Sequence, residues 1–386
     1  MRKLKIVADD KIPFLKGVLD PFVDVVYLPG SKISPADVID ADAIFTRTRT
    51  CCNETLLQQS RVRLIVTATI GYDHIDTAYC EANNIRWVNA PGCNSSSVQQ
   101  YITAALLMLA EEKKMSLQDM TLGVIGVGNV GSKVAKAATA LGMRVLLNDP
   151  PRAEKEGDAA FTSLEKLLKQ SDIVTCHTPL TKEAPYPTYH LSSCDFFNQM
   201  KDGAVYINSA RGAVTDTVAL KQAAQSKLSG YILDVWEGEP DIDLELLENA
   251  LIATPHIAGY SSDGKANGTA VCVHEFCRFF GLDILPDRYP DTVPDPPMST
   301  VICIDCEGKT EQQIFYEAVT HTYPIWEDSL RLKQMPAGFE EQRGSYRVRR
   351  EFGCFTIQLK HPTEKIVNGL SSLGFKTLPL NPLKET

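Results

Sequence analysis

The stretch Leu122-Gly123-Val124-Ile125-Gly126-Val127-Gly128-Asn129-Val130-Gly131 contains an apolar run followed by the pattern Gly-x-Gly-x-x-Gly. An alanine-rich segment with helical spacing follows directly over residues 132–141. A strand, a glycine turn and a helix in this order are typical of a dinucleotide-binding fold. The first glycine suits a tight turn, the second lets backbone amides approach a pyrophosphate, and the third allows close packing of helix on strand. We therefore predict a dinucleotide site at Gly126, Gly128, Asn129, Val130 and Gly131.

The next apolar run, residues 145–149, ends in the carboxylate of Asp149. A carboxylate at this position accepts hydrogen bonds from ribose hydroxyls and repels a 2′-phosphate, so it favours NAD over NADP. Arg152 follows closely, and a cation there would weaken the preference. The predicted cofactor is NAD.

Outside this motif, short apolar runs alternate with helical patterns along most of the chain. The runs are too evenly apolar for strands with one face in water, and such alternation favours parallel sheets covered by helices. We predict an α/β fold with two doubly wound, Rossmann-like parallel-sheet domains and a small C-terminal α/β domain. The predicted strands are 4–8, 23–28, 43–46, 64–67, 122–126, 145–149, 173–177, 204–209, 230–235 and 251–253, followed by two more in the C-terminal domain.

Composition limits the possible classes of protein. The chain has 386 residues, 44% of them hydrophobic and 23% charged, which excludes wholesale disorder. Its formal net charge of −9 repels phosphate backbones and argues against broad nucleic-acid binding. The longest apolar run, 101–110, is shorter than the ~20 residues of a membrane-spanning helix. With acidic Asp9 and Asp10 near its start and no long apolar leader, the chain is expected to be cytoplasmic. Cys303 and Cys306 lack a second ligand pair nearby, so no metal site is predicted.

Three polar side chains follow predicted strands of the second series: Arg211, Glu239 and His256. Ligands bind at the carboxyl ends of strands in doubly wound sheets. A guanidinium offers a planar fork to a carboxylate, and a histidine can take a hydroxyl proton while a neighbouring carboxylate orients it. Together these residues predict oxidation of a 2-hydroxy acid.

The order of these motifs resembles that of the D-2-hydroxyacid dehydrogenases over residues 1 to about 285. The motifs that carry the resemblance are the glycine pattern, Asn208-Ser209-Ala210-Arg211-Gly212, Asp234-Val235-Trp236-Glu237-Gly238-Glu239-Pro240, Thr254-Pro255-His256-Ile257-Ala258, Gly71-Tyr72-Asp73-His74-Ile75-Asp76 and His177-Thr178-Pro179-Leu180. The run Ala90-Pro91-Gly92-Cys93-Asn94, the run Asn148-Asp149-Pro150-Pro151-Arg152, Tyr260 and the extra C-terminal domain are similar to the branch that acts on 4-phospho-D-erythronate.

That resemblance implies an enzyme that oxidises 4-phospho-D-erythronate at C2 to the 2-oxo acid, with NAD as acceptor, in vitamin B6 (pyridoxine 5′-phosphate) biosynthesis. It implies His256 as acid and base, Glu239 as its partner and Arg211 as the ligand of the substrate carboxylate. The implied NAD-binding residues are Asp149, Thr178, Ser209, Ala210, Arg211, Asp234 and Gly259, and the implied substrate-binding residues are Thr48, Thr69 and Tyr260.

The resemblance also implies a homodimer, with the C-terminal domain taking part in dimerisation. The motifs, the proline-rich stretch and the pattern of strands and helices predict how the chain divides. The expected parts are a substrate-binding domain (1–96 and 257–285), an NAD-binding domain (97–256), a proline-rich linker (286–298) and a C-terminal dimerisation domain (299–386).

A phosphorylated substrate requires cations. Arg47 and Arg49, with Thr48 between them, follow a predicted strand and are predicted to clamp the phosphate; a single solvated arginine is the less favoured alternative. A second basic cluster, Arg343, Arg347, Arg349 and Arg350, is interpreted first as a solvated face, with a dimer-interface or phosphate role left open.

Two alternatives remain from the sequence. One is another D-2-hydroxyacid dehydrogenase, such as one for 3-phosphoglycerate. The other is a non-enzymatic NAD-sensing regulator on the same scaffold, because a fold does not determine a function.

Overall fold

The computed structural model describes residues 2–183, 185–283 and 293–379. Part of the predicted linker (286–292) and the end of the predicted C-terminal domain (380–386) therefore lie outside the described residues. By its internal contacts the chain forms two compact units, Met1–Asn94 with Ser262–Pro294, and Ser95–Ser261 with Asp295–Thr386. The finer division expected from the sequence stays a prediction.

The strands are β1 (Lys5–Asp9), β2 (Asp24–Leu28), β3 (Ala43–Thr46), β4 (Leu64–Thr67), β5 (Arg86–Val88), β6 (Thr121–Ile125), β7 (Arg144–Asn148), β8 (Ile173–Cys176), β9 (Val205–Asn208), β10 (Gly230–Leu233), β11 (Ile252–Ala253), β12 (Val301–Asp305), β13 (Thr356–Lys360) and β14 (Lys376–Pro379). The helices are α1 (Pro35–Val38), α2 (Glu54–Leu57), α3 (Thr77–Ala82), α4 (Ser95–Lys113), α5 (Asn129–Ala140), α6 (Pro150–Glu156), α7 (Leu164–Gln170), α8 (Cys194–Gln199), α9 (Thr217–Ser226), α10 (Leu244–Asn249), α11 (Ser262–Phe280), α12 (Glu311–Thr322), α13 (Ile325–Gln334), α14 (Phe339–Gly344) and α15 (Glu364–Leu373).

The first unit is a parallel sheet in the order β2-β1-β3-β4-β5. Side chains of β1 alternate between two hydrophobic cores, with Ile6 and Ala8 in one and Val7 in the other, because both faces of the strand are covered. β3 and β4 are paired in register, so Thr46 lies opposite Thr67 at their carboxyl ends. The residues that follow these strands therefore emerge at the same edge.

The second unit contains a parallel sheet in the order β11-β10-β9-β8-β6-β7. The first strand of this sheet along the chain is β6, and the strands that follow it lie on both of its sides, β7 on one and β8 to β11 on the other. The strand order therefore reverses beside β6, and doubly wound sheets bind their ligands at this point. A smaller parallel sheet, β12-β13-β14, belongs to the same unit. The predicted α/β fold class is confirmed.

Packing joins the C-terminal part to the larger sheet within this unit. Leu106 of α4, Val134 of α5, Phe315 of α12 and Leu370 of α15 share one hydrophobic core. Polar contacts add to it, because the Gln100 side chain donates to the Arg350 carbonyl at 2.9 Å. No helix among the described residues is long and apolar enough to cross a membrane.

Candidate active site

The glycine turn lies between β6 and α5. Gly126 has a φ of 81°, which favours glycine, and a Cβ there would lie 2.8 Å from the His177 carbonyl. A Cβ on Gly131 would overlap the Gly126 carbonyl oxygen, whereas one on Gly128 would meet open space. The turn is therefore closed on the strand side and accessible at Gly128, as a backbone site for a pyrophosphate requires.

Asp149 lies at the end of β7, beside this turn. Its Oδ2 accepts from the Val127 backbone N–H at 2.8 Å, and its Oδ1 caps α6 by accepting from the Arg152 N–H at 3.1 Å. The Arg152 guanidinium is engaged by Glu156 at 2.6 Å and by the Val127 carbonyl. Arg152, the cation that would favour NADP, is thus already paired, and the Asp149 carboxylate lies next to the glycine turn.

Two buried hydroxyl groups lie on the neighbouring strand ends. Thr178 follows β8 and Ser209 follows β9, and these strands are paired directly. Within the part of the chain that the structure describes, Thr178 Oγ1 and Ser209 Oγ have no hydrogen-bond partner. Buried polar groups are normally satisfied, so these atoms indicate a polar ligand. Together with the glycine turn and Asp149, the Thr178 and Ser209 hydroxyls form a set of groups that can bind NAD.

Replacing Asp149 by serine should lower the preference for NAD over NADP. Serine is also a good N-cap residue, so α6 should keep its start while the negative charge and a ribose acceptor are lost. A charge-assisted hydrogen bond contributes ~1.5–3 kcal/mol. The kcat/KM with NAD divided by the kcat/KM with NADP should therefore fall about ten- to a hundredfold.

Asp216→Ser is the matched control, because Asp216 caps α9 through the Val218 and Ala219 N–H groups. That variant should keep the wild-type ratio. Equal use of both cofactors by the wild type would contradict the assignment of Asp149.

His256 and Glu239 are in direct contact. His256 Nδ1 lies 2.8 Å from Glu239 Oε2, and Glu239 Oε1 accepts from the Trp236 backbone N–H at 2.8 Å. Burial raises the pKa of Glu239, but the hydrogen bond to His256 and its charge, with smaller contributions from nearby groups, hold that pKa below its ordinary value. An ionised carboxylate thus orients the imidazole and leaves Nε2 as the nitrogen that can exchange a proton with substrate.

Buried Asp234 organises the loop that carries His256. Its carboxylate accepts from the backbone N–H groups of Ile257 and Ala258 at 2.8 and 2.9 Å and from the Thr254 hydroxyl at 2.6 Å. Burial raises the pKa of the Asp234 carboxyl, although the charge of His256 and these hydrogen bonds oppose the shift. This scaffolding role was not predicted, and NAD binding by Asp234 stays a prediction.

Arg211 lies in the turn after β9. The Asn208 side chain holds that turn, donating to the Arg211 carbonyl and accepting from the Ala210 N–H, both at 2.9 Å. A Cβ on Gly212 would overlap the Trp236 carbonyl, so the turn packs against the segment that leads to Glu239. Because β9, β10 and β11 are neighbours, Arg211, Glu239 and His256 emerge at one edge of the sheet.

Sequence reasoning missed Asn208 and Trp236 as supports of the site. Both lie inside the motifs that identify the family, but only the fold shows what they contact. The Trp236 indole donates to the Thr254 carbonyl at 3.0 Å and so joins two of the catalytic turns.

Tyr260 and Gly259 lie just beyond His256, in a turn closed by the Tyr260 N–H to the Ile257 carbonyl at 2.9 Å. The second basic cluster approaches this turn, since Arg349 donates to the Ala258 carbonyl at 2.6 Å. Arg349 is 2% exposed, so the interpretation of the cluster as a solvated face is wrong for this residue. Its charge is accommodated by the faces of surrounding tyrosine rings.

The remaining predicted substrate residues belong to the first unit. Thr67 Oγ1 donates to the Arg47 carbonyl at 3.0 Å and lies 2.7 Å from Thr69 Oγ1, which ties the ends of β3 and β4 together. The Arg47 guanidinium donates to the Lys11 carbonyl at 3.0 Å, and Thr48 and Arg49 are exposed. Phosphate binding by this segment stays a prediction.

Comparison with known proteins agrees with this geometry. Residues 98–258 match the model of the D-isomer specific 2-hydroxyacid dehydrogenase, NAD binding domain, and residues 296–374 match a domain of unknown function (DUF3410). The chain is 48% identical to the erythronate-4-phosphate dehydrogenase of Bacteroides fragilis, over 92% of this chain and 99% of that protein. It is 43% identical to the enzyme of that name from Porphyromonas gingivalis, over 96% of this chain and 100% of the relative.

Similar solved structures include dehydrogenases with NAD bound. The D-lactate dehydrogenase of Aquifex aeolicus, complexed with NAD and lactic acid, is 31% identical with a TM-score of 0.60, over 72% of this chain and 95% of that one. The NAD-bound 3-phosphoglycerate dehydrogenase of Entamoeba histolytica is 25% identical with a TM-score of 0.60, over 75% of this chain and 100% of that one. The chain therefore belongs to the D-isomer specific 2-hydroxyacid dehydrogenase family and is an NAD-dependent dehydrogenase.

Proposed function

We propose that the enzyme oxidises 4-phospho-D-erythronate at C2 to (R)-3-hydroxy-2-oxo-4-phosphooxybutanoate, within pyridoxine 5′-phosphate (vitamin B6) biosynthesis. The observation that carries the chemistry is the His256–Glu239 contact of 2.8 Å beside the Arg211 turn. The names of relatives at 43–49% identity support the substrate.

Arg211, His256 and Glu239 have different roles in this oxidation. Arg211 holds the substrate carboxylate through its planar fork, which fixes C1 and orients C2. His256 Nε2 takes the C2 hydroxyl proton, and Glu239 stabilises the imidazolium that forms. NAD, when bound, supplies the acceptor of the hydride that leaves C2. The C2–H electron pair leaves as hydride and the O–H pair becomes the second bond of the carbonyl, so the step balances.

The homodimer, which rests on the same resemblance, forms part of this proposal, as does the cytoplasmic location expected from the sequence. Substrate binding by Thr69 and Tyr260 belongs to it as well. The phosphate clamp at Arg47, Thr48 and Arg49 stays a prediction, and it is one of two candidate positions for the single C4 phosphate.

A substrate panel tests the proposal. NADH formation should be fastest, by kcat/KM, with 4-phospho-D-erythronate when it is compared with 3-phospho-D-glycerate, D-lactate and D-erythronate. Losing a charge-assisted phosphate contact corresponds to ~10- to 100-fold, so D-erythronate should be poorer by at least that factor. A preference for 3-phospho-D-glycerate would instead favour the alternative dehydrogenase, and negligible turnover of every substrate would contradict the proposal.

A further inference from the structure

Arg343, at the end of α14, lies beside the catalytic turn of the same unit. Its Nη2 is 3.3 Å from the Tyr260 hydroxyl, and its guanidinium carbon is 5.7 Å from the centre of the Tyr260 ring. The side chain is only 21% exposed, and its Nη1 donates to Glu340 at 2.8 Å. Within the described residues the buried Nε has no hydrogen-bond partner. A largely buried cation is therefore held at the site with one donor unsatisfied.

The chain on either side of Tyr260 is tied to the segment that follows Arg343. Arg349 donates to the Ala258 carbonyl, and Glu351 accepts from the Ser261 hydroxyl at 2.8 Å. Contacts before and after Tyr260 thus limit how far the tyrosine can move relative to the C-terminal segment. Such an arrangement holds the cation in position before a ligand arrives.

The ion pair with Glu340 does not explain why the Arg343 cation is largely buried. Glu340 is 45% exposed and lies three residues away on the same helix, and such surface pairs contribute little to stability. Catalytic Glu239 already accepts from His256 and Trp236, although the Arg343 charge still acts on it. Nη2 of the guanidinium contacts the Tyr260 hydroxyl, and the unpartnered Nε lies on the same edge of the planar fork, so this edge suits an anion that accepts two hydrogen bonds.

Resting on the proposed function, we propose that Arg343 binds the C4 phosphate of the substrate beside Tyr260. The substrate carries one anion at C1, which Arg211 is placed to bind, and a second two carbons beyond the hydroxyl that His256 deprotonates. A guanidinium matches two phosphate oxygens with parallel N–H donors, and partial burial strengthens that contact. The C-terminal part of the chain thereby supplies a substrate ligand to the active site.

The test compares two substrates that differ only in the phosphate, 4-phospho-D-erythronate and D-erythronate. In Arg343→Gln the ratio of their kcat/KM values should fall about ten- to a hundredfold, the effect of losing a charge-assisted contact. The ratio cancels any effect on proton transfer, because both substrates share that step. Arg343→Lys keeps the charge but loses the fork, so it should recover part of the ratio.

Two control variants separate phosphate binding from a structural role. Glu340→Gln removes the ion pair but keeps Arg343, so its ratio should stay within about threefold of the wild type if the guanidinium serves the substrate. Arg331→Gln removes another arginine of the C-terminal part that is paired three residues away, with Asp328 at 3.4 Å, and should behave likewise.

An unchanged ratio in Arg343→Gln, or an equal fall in Glu340→Gln, would overturn the inference. If Arg343→Gln does not fold, as judged by circular dichroism, the ratio in Arg343→Lys decides, and a wild-type value there overturns it. Failure of the proposed function looks different, because the wild type itself would then show no preference for the phosphorylated substrate.

Discussion

Replacing His256 by alanine should lower kcat for alcohol oxidation by ~10²–10⁴-fold while NAD binding is retained. The hydroxyl proton must leave as the hydride leaves, and His256 is the base that Glu239 orients at 2.8 Å. The backbone of the loop is held by Asp234 through main-chain groups, so truncating the imidazole should leave the turn in place. Turnover is measured by NADH formation, and NAD binding by titration of the protein.

The chain offers a matched control in a second histidine–glutamate pair. His190 Nε2 lies 2.6 Å from Glu237 Oε1, and the two histidine side chains are equally exposed, at 31% and 30%. His190→Ala should keep kcat within a few-fold of the wild type, because no proton of the reaction passes through it. Near-wild-type turnover in His256→Ala would contradict the mechanism.

The same pair predicts a role for the Glu239 charge. Burial raises the pKa of Glu239, but the hydrogen bond to His256 and the charge of His256 hold it below its ordinary value, so the carboxylate is ionised at neutral pH. Glu239→Gln keeps the shape of the side chain but removes the charge that stabilises the imidazolium formed as the hydroxyl proton leaves, so kcat for alcohol oxidation should fall while the KM for NAD stays unchanged. An unchanged kcat would show that the charge of Glu239 plays no part in proton transfer.

Replacing Arg211 by glutamine should lower kcat/KM for the hydroxy acid by ~10²-fold or more. A bidentate pair comprises two charge-assisted hydrogen bonds, each worth ~1.5–3 kcal/mol. The turn should survive, because the Asn208 side chain holds it through the Ala210 N–H and the Arg211 carbonyl, main-chain groups that the substitution leaves in place. The KM for NAD should therefore change much less than the KM for the substrate.

Arg211→Lys is the informative companion, since an ammonium retains the charge but lacks the fork. It should recover part of the loss. Arg144→Gln, at the exposed first residue of β7, removes a charge elsewhere on the same sheet and should leave both KM values unchanged. An unchanged kcat/KM in Arg211→Gln would move the carboxylate site to another residue.

Much of the fold follows from local sequence. Gly126 needs a positive φ and Gly131 leaves no room for a Cβ, so the turn between β6 and α5 is encoded within ten residues. Evenly apolar runs predict strands of a parallel sheet, because helices cover both faces of such a sheet and every side chain of the strand is then buried. The positions of Arg211, Glu239 and His256 after such runs also place them at one edge, since parallel strands end together.

Arg343 and Arg349 illustrate what local sequence leaves open. A cluster of charged residues resembles a solvated face, yet Arg349 is buried against tyrosine rings and Arg343 reaches a tyrosine 83 positions earlier in the chain. The free energy of burying a charge depends on the partners that the fold brings to it, and distant partners leave no periodic signal in sequence.

The sequence by itself therefore determined the α/β class, the dinucleotide turn and the residue types of the chemistry, because short-range sterics and hydrophobic periodicity are local properties. Only the tertiary structure decided that Asp234 holds the His256 loop and that the C-terminal part brings Arg343 to Tyr260. It also decided that the Thr178 and Ser209 hydroxyls find no hydrogen-bond partner among the described residues. These are contacts between segments far apart in the chain, and packing of the whole unit fixes their geometry.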